Sequence, residues 1–269
     1  MLWFIEIIQN HINYIDIIID LIKRDFKLKY LNSLLGKYWN FISPLVMILI
    51  YTYIFSIVLK AKLSAAVMNN QYAYVIYLCS GLLVWNLCVD AINKGTRMFF
   101  DYTHMIKKVY FSLDILPAVV IGSASINFFI IFGIYLLVIL FTGYGLSIYI
   151  FFFPILYLLL IFFLIGASLI LAIVNVAFRD VEQMVNILFM ILFWITPIVY
   201  QFNMVPLKYR FILFLNPFYY FIHSFQLILF YKQMPYLYLF IVMIFFSISS
   251  LLIGYFLLKK VRSFIYDEI

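Results

Sequence analysis

Apolar runs, most of them about as long as a membrane is thick, alternate along this chain with short charged clusters. That alternation predicts an all-α protein that crosses a bilayer repeatedly, since a span needs roughly 20 apolar residues. Runs at 41–59, 72–92, 115–142, 147–177, 184–200 and 237–258 predict six transmembrane helices. Gly143 and Gly145 make the turn between the third and fourth, and Pro154 is expected to break the fourth. Residues 1–36 read differently. Ile15, Ile18, Ile19, Ile22, Phe26 and Tyr30 recur at helical spacing, while Asp16, Asp20, Lys23, Arg24 and Lys27 occupy much of the other side. Such a helix lies in the headgroup plane. Residues 205–235 are apolar but punctuated by Pro206, Lys208, Arg210, Asn216, Pro217, His223 and Pro235. Two short pieces, 207–215 and 217–230, fit that punctuation, and each is too short to cross. Broken helices at membrane depth survive only where protein or water satisfies their backbone, so these pieces are expected to form a re-entrant hairpin. Residues 1–269 form a single membrane domain on this reading.

Composition agrees. The chain is 68% hydrophobic and 11% charged, with mean hydropathy +1.13. A soluble domain would lack the polar residues to cover its surface. Of the 18 Lys and Arg, thirteen fall in the N-terminal segment, the loops after the second and fourth spans, and the tail; five fall on the other side. The positive-inside rule then puts both termini in the cytoplasm, and the hairpin enters from the outer face. The net charge of +7 and the pI near 9.2 flank apolar segments, which indicates membrane lipid headgroups and topology control, not nucleic acid. Glu6, Asp16 and Asp20 precede the first basic residue, Lys23, which is the wrong order for a cleavable signal peptide.

Catalytic chemistry is sparse. His11, His104 and His223 are scattered and build no metal site, and Cys79 and Cys88 lie nine residues apart, on opposite faces of one helix. No Walker A loop, dinucleotide fingerprint or nucleophile elbow occurs. Asp90 is the one acidic residue inside a predicted span, near its cytoplasmic end. Ion-driven transporters bury several ionisable groups at mid-membrane, so energy is expected from elsewhere. Asp90 suits an interfacial or inter-helix hydrogen-bonding group. Residues 101–110 suit a short helix across the membrane surface, either docking a soluble partner or anchoring lipid through snorkelling lysines. Tyr74, Tyr77, Gly81 and Trp85 lie near one helical face, where aromatic rings either stack on sugars or simply pack. Residues 122–125 and 166–168 (GSAS and GAS) read as close helix-packing patches.

Several motifs carry a family likeness. RDFKLKYLNSLLGKYWNFISPLVMILIYTYIFSIVL resembles the N-terminal signature of permease subunits of ABC-type polysaccharide exporters, matched at Arg24-Asp25, Tyr30, Leu35-Gly36, Trp39, Pro44-Leu45 and Phe55. Gly81, Trp85 and Asp90, then MIKKVYFSLDILP, FRDVEQ, TPIVY and LNPFYYF follow in order, with Ser112 standing where that family has proline. The resemblance covers nearly the whole chain. It implies a type-2 ABC permease of a bacterial inner membrane, working as a homodimer with two copies of a separate nucleotide-binding ATPase. ATP and Mg would bind that partner, and no cofactor this chain. The cargo would be lipid-linked polysaccharide: O-antigen, capsule or teichoic acid. The N-terminal helix (1–36) would be the interface helix. Residues 101–112 would be the coupling helix, with Tyr102, His104, Met105, Ile106, Lys107 and Lys108 touching the ATPase beside Arg179 and Asp180. Tyr74, Tyr77, Trp85 and Asp90 would line the channel. Residues 205–235 would be the extracellular gate helices, with Asn216 and Pro217 at the gate. A type-2 permease for a drug or another lipid shares this fold. An integral-membrane enzyme acting on lipid-linked sugars would need grouped carboxylates, and Asp101, Asp114, Asp180 and Glu182 are scattered; a scaffold would need neither loop helix nor hairpin.

Overall fold

The computed structural model describes residues 14–28, 34–54, 72–108 and 112–268. Tyr30, Phe55, the end of the first predicted span, Lys60, Lys62 and residues 109–111 lie outside that set. Every regular element among the described residues is helical. They are α1 (Ile15–Leu28), α2 (Trp39–Tyr51), α3 (Ala73–Asp101), α4 (Thr103–Lys108), α5 (Leu116–Phe141), α6 (Phe153–Ala177), α7 (Val181–Ile195), α8 (Arg210–Leu215), α9 (Pro217–Gln226) and α10 (Leu237–Glu268). Among the described residues, four helical stretches are long and apolar enough to cross a membrane, namely those holding α3, α5, α6 and α10. α2 and α7 are shorter apolar helices, and α8 meets α9 at a bend of 104°.

α3 is the hub. In its most apolar stretch 78% of residues are buried, against 28% in α10, because α5, α6, α7 and α9 surround it. One core joins Tyr77, Trp85, Phe128, Phe163, Phe221 and Phe225; a second, at the basic end, joins Ile18, Met98, Ile106, Leu116, Ile173 and Leu258. Lipid tails are as apolar as leucine, so helices associate here through close packing and interhelical hydrogen bonds. The α6–α10 seam shows both. A Cβ on Gly166 would come within 2.2 Å of the Ser250 carbonyl carbon. Beside it Ser250 Oγ donates to Phe163 O at 3.2 Å, and Ser247 Oγ to Leu159 O at 2.7 Å. At Gly122 a Cβ would come within 2.4 Å of Ile22 Cδ1, which seats α1 against α5. α1 buries Ile18 and Leu21 but leaves Ile15 and Ile19 exposed, so only part of its apolar face meets protein.

Helix ends differ from the sequence reading in four places. α3 runs on through the charged stretch to Asp101, because Lys94–Asp90 (3.0 Å) and Arg97–Asp101 (3.6 Å) pair one turn apart and no proline intervenes. Pro154 opens α6 instead of breaking it; in a first turn the missing N–H would be unpaired anyway. α7 stops at Ile195 because Thr196 precedes Pro197, and the residue before proline avoids the helical region. α10 carries the tail on to Glu268.

Candidate functional site

At the basic end, three segments far apart in sequence meet. α4 follows α3 after a single non-helical residue, Tyr102, and turns Tyr102 and Ile106 inward (4% and 5% exposed) while His104 and Lys107 face out. Met105 is half-buried, and α4 ends at Lys108. The Tyr102 hydroxyl donates to Asp25 Oδ2 on α1. Arg24 lies 5.3 Å above the Tyr102 ring and donates to Met105 Sδ at 3.0 Å. α1 and α4 are thus clasped by a charge-assisted hydrogen bond and a cation–π contact, with one side of α4 free. Arg97 bridges from α3 to Glu182 on α7 at 3.2 Å, and Arg179 sits 5.7 Å over Phe100, so the turn before α7 borders the same surface. Asp180 is exposed there. On the other flank Ser112 Oγ donates to Asp114 Oδ2 at 2.7 Å, and Arg262 from α10 reaches that oxygen at 3.9 Å. His104, Lys107, Arg97 and Asp180 are exposed around these contacts, an arrangement that suits recognition of a second macromolecule.

At the opposite end the backbone is irregular and tyrosines hold it. Tyr74 donates to Val199 O at 2.5 Å; Tyr77 donates to Tyr200 O at 2.7 Å and Pro197 O at 3.0 Å. Gln226 Nε2 adds a bond to Pro197 O at 3.1 Å. The segment after α7 therefore has its free carbonyls satisfied by side chains, as backbone buried away from water requires. Asn216 caps α9: its Oδ1 accepts from Phe218 N at 3.0 Å while its Nδ2 donates to Thr196 Oγ1 at 2.7 Å. Pro217 follows as the first residue of α9, where it fits. Beyond α9 the chain widens over Leu227–Tyr231, and Tyr144 donates to Phe230 O at 2.5 Å. Burial pushes the Tyr144 phenol up to about 12. Lys232, in a left-handed conformation (φ 54°), donates to Tyr144 O at 2.6 Å and lies 4.3 Å from its ring.

The four residues expected along a channel are spread over different surroundings. Tyr77 and Trp85 are buried inside the chain, Trp85 among Phe189, Phe193 and Phe218. Tyr74 is half-buried against the segment after α7. Asp90 is half-exposed and accepts from Lys94 (3.0 Å) and Asn127 Nδ2 (3.2 Å) at one oxygen. Among the described residues no cluster of His, Cys, Asp or Glu suits a metal ion.

Sequence reasoning assigned no role to Asp25, Arg24, Arg97, Asn127 or Lys232. Arg24 and Asp25 stood in a quoted motif, but their partners lie 81 and 77 residues away, and no spacing rule reaches that far.

Comparison with known proteins agrees with this architecture. A family model described as "ABC-2 type transporter" matches residues 18–230. An O-antigen export system permease protein RfbA of Klebsiella pneumoniae is 26% identical over 205 residues, spanning 75% of each chain. An RfbA of Myxococcus xanthus is 26% identical over 235 residues, spanning 86% of each.

Proposed function

As the chain belongs to the ABC-2 type transporter family, we propose that it is the membrane-spanning subunit of an ATP-driven exporter of lipid-linked polysaccharide, of the O-antigen, capsule or teichoic acid kind. The relatives named as O-antigen export permeases support that cargo. It does no chemistry on the polymer; a separate ATPase supplies the energy, with ATP and Mg bound there. Six crossings complete the topology: the four long helices together with α2 and α7. The bent α8–α9 pair dips back from the outer face, and both termini and α4 lie in the cytoplasm. Two copies of the chain work with two ATPase subunits.

The single observation that carries the energy-coupling reading is α4. It is anchored through Tyr102 and Ile106 while His104 and Lys107 point away from the protein. A helix clasped on one side to α1 and α3 transmits force applied to the other. Closure of the ATPase pair would push on α4, and α3, the hub of the fold, continues directly into it.

The test is affinity purification of the chain from gently solubilised membranes, wild type beside a Lys107→Glu, Lys108→Glu variant. The wild type should bring down a P-loop ATPase in near-equal amount and export polymer. The variant should insert normally, lose the ATPase and lose export. Undiminished export by the variant would sink the coupling role, and a wild-type chain recovered with no ATPase would sink the transporter reading itself.

A further inference from the structure

Between α2, α3 and α5 lies a cavity of about 290 Å³ walled by Trp39, Asn40, Asp90, Asn127 and Phe128, among others. Its polar groups are incompletely used. Asn40 is 8% exposed, and among the described residues its Nδ2 has no hydrogen-bond partner. Asn127 spends its Nδ2 on Asp90, and its Oδ1 is likewise buried and unpartnered. Leaving a buried amide group unpaired carries a real desolvation cost, so two such atoms beside one cavity point to something that fills it. Asp90 lies about 16 Å along α3 from Asp101, near the end of the apolar run.

The chemistry of the wall narrows the occupant. Asp90 is already balanced by Lys94 at 3.0 Å, so the site has no net charge to attract an anion or a cation. Its wall holds a half-exposed carboxylate, the Trp39 ring, and two amides whose unpartnered atoms, Asn40 Nδ2 and Asn127 Oδ1, are buried beside the space and reach it by turning. The amide torsion of asparagine is broad, so both groups can turn to an entering hydroxyl. Donors and acceptors around an aromatic face match a hydroxylated ring, whose O–H groups exchange bonds while its C–H face stacks. The volume sits at the lower end of small-molecule sites, the size of a single ring. A second cavity, of about 330 Å³, shares Asn127 and is lined by Arg24 and Lys94 towards the basic end.

We infer that this cavity is a binding site for one uncharged sugar ring of the exported glycan, held by Asn40, Asp90 and Asn127 against Trp39. The assignment of a sugar cargo rests on the proposed function; the site itself does not.

The test uses the permease–ATPase complex in lipid nanodiscs. The probe is octyl β-glucoside, one hexose on an alkyl chain; the control is octyl tetraethylene glycol, which has no sugar. Saturation-transfer NMR reads contact with the sugar-ring protons. Asn40→Leu and Asn127→Leu should each weaken ring-proton binding by about fivefold to tenfold while the control detergent is unaffected. Asn40→Leu removes a buried amide with an unpaired atom, and Asn127→Leu removes one bond to Asp90, which Lys94 still pairs, so assembly should survive. Trp39→Phe is the second variant. It keeps both amides and should weaken ring binding by about threefold through lost stacking area. Ring-proton transfer equal in the wild type and all three variants, or equal to that of the control head group, overturns the site. Polymer export measured on the same preparation separates the two ideas. Export without ring-proton transfer sinks the site and spares the function; site-dependent ring-proton transfer without export does the reverse.

Discussion

Replacing Gly166 with alanine should damage the fold far more than the same change at Gly133, although both glycines sit in apolar helices. At Gly166 the new Cβ would stand 2.2 Å from Ser250 C and 2.4 Å from both Leu251 N and Ser250 O. All three are backbone atoms of α10, so no side-chain rotation relieves the contact. The helices must part, and Gly254, whose own Cβ position is 2.8 Å from Gly166 O, shows that the approach is close from both sides. Overpacking of this kind costs about 1–3 kcal/mol. Separation also strains the Ser250–Phe163 and Ser247–Leu159 bonds, worth about 0.6 kcal/mol each in membrane bundles. Gly to Ala inside a helix returns up to about 1 kcal/mol, leaving a net loss of about 1–3 kcal/mol. At Gly133 nothing lies within 4 Å of the added Cβ, so only the helical gain remains. With roughly 2–4 °C per kcal/mol for a chain of this size, Gly166→Ala should melt about 2–12 °C lower and Gly133→Ala up to about 4 °C higher. Loss of the monodisperse peak in size-exclusion chromatography after heating at one fixed rate measures this, the fixed rate mattering because such unfolding is irreversible. Equal shifts for the two variants would refute the reasoning that backbone contact, not glycine itself, sets the cost.

Two further outcomes can be stated. Tyr102→Phe removes the donor to Asp25, a charge-assisted bond that the partly exposed carboxylate recovers in water only in part; a loss of about 1–2 kcal/mol should speed amide exchange across α1 roughly tenfold, and unchanged exchange there would mean that α1 is held by packing alone. For topology, Asn216 is 4% exposed and poorly placed to report, whereas Lys208 is exposed; with Cys79 and Cys88 replaced, Lys208→Cys should react with an impermeant thiol reagent from outside only, and labelling solely from the cytoplasm would invert the orientation.

The all-α class, the long spans, the amphipathic first helix and the broken segment around Asn216 were all legible in the sequence, because each follows from composition and periodicity over neighbouring residues. So was the role of the small residues at 122 and 166, since only packing rewards glycine inside an apolar helix. Helix ends were less legible. Charges at 94, 97 and 101 read as a loop when judged for polarity, yet they pair along one helix face. The family likeness drawn from ordered motifs agrees with the family model that matches residues 18–230.

Tertiary structure alone decided which of these pieces touch. The clasp of Arg24 and Asp25 on α4, the tyrosines that hold the chain beyond α7, and the meeting of Asn40, Asp90 and Asn127 join residues far apart in sequence. The reason is physical. In lipid an apolar surface has no preferred protein neighbour, so hydrophobic pattern fixes that a helix crosses but not what it meets. Partners are set by where backbones can approach and where buried polar groups find bonds, and both depend on three-dimensional fit among segments that sequence spacing does not relate.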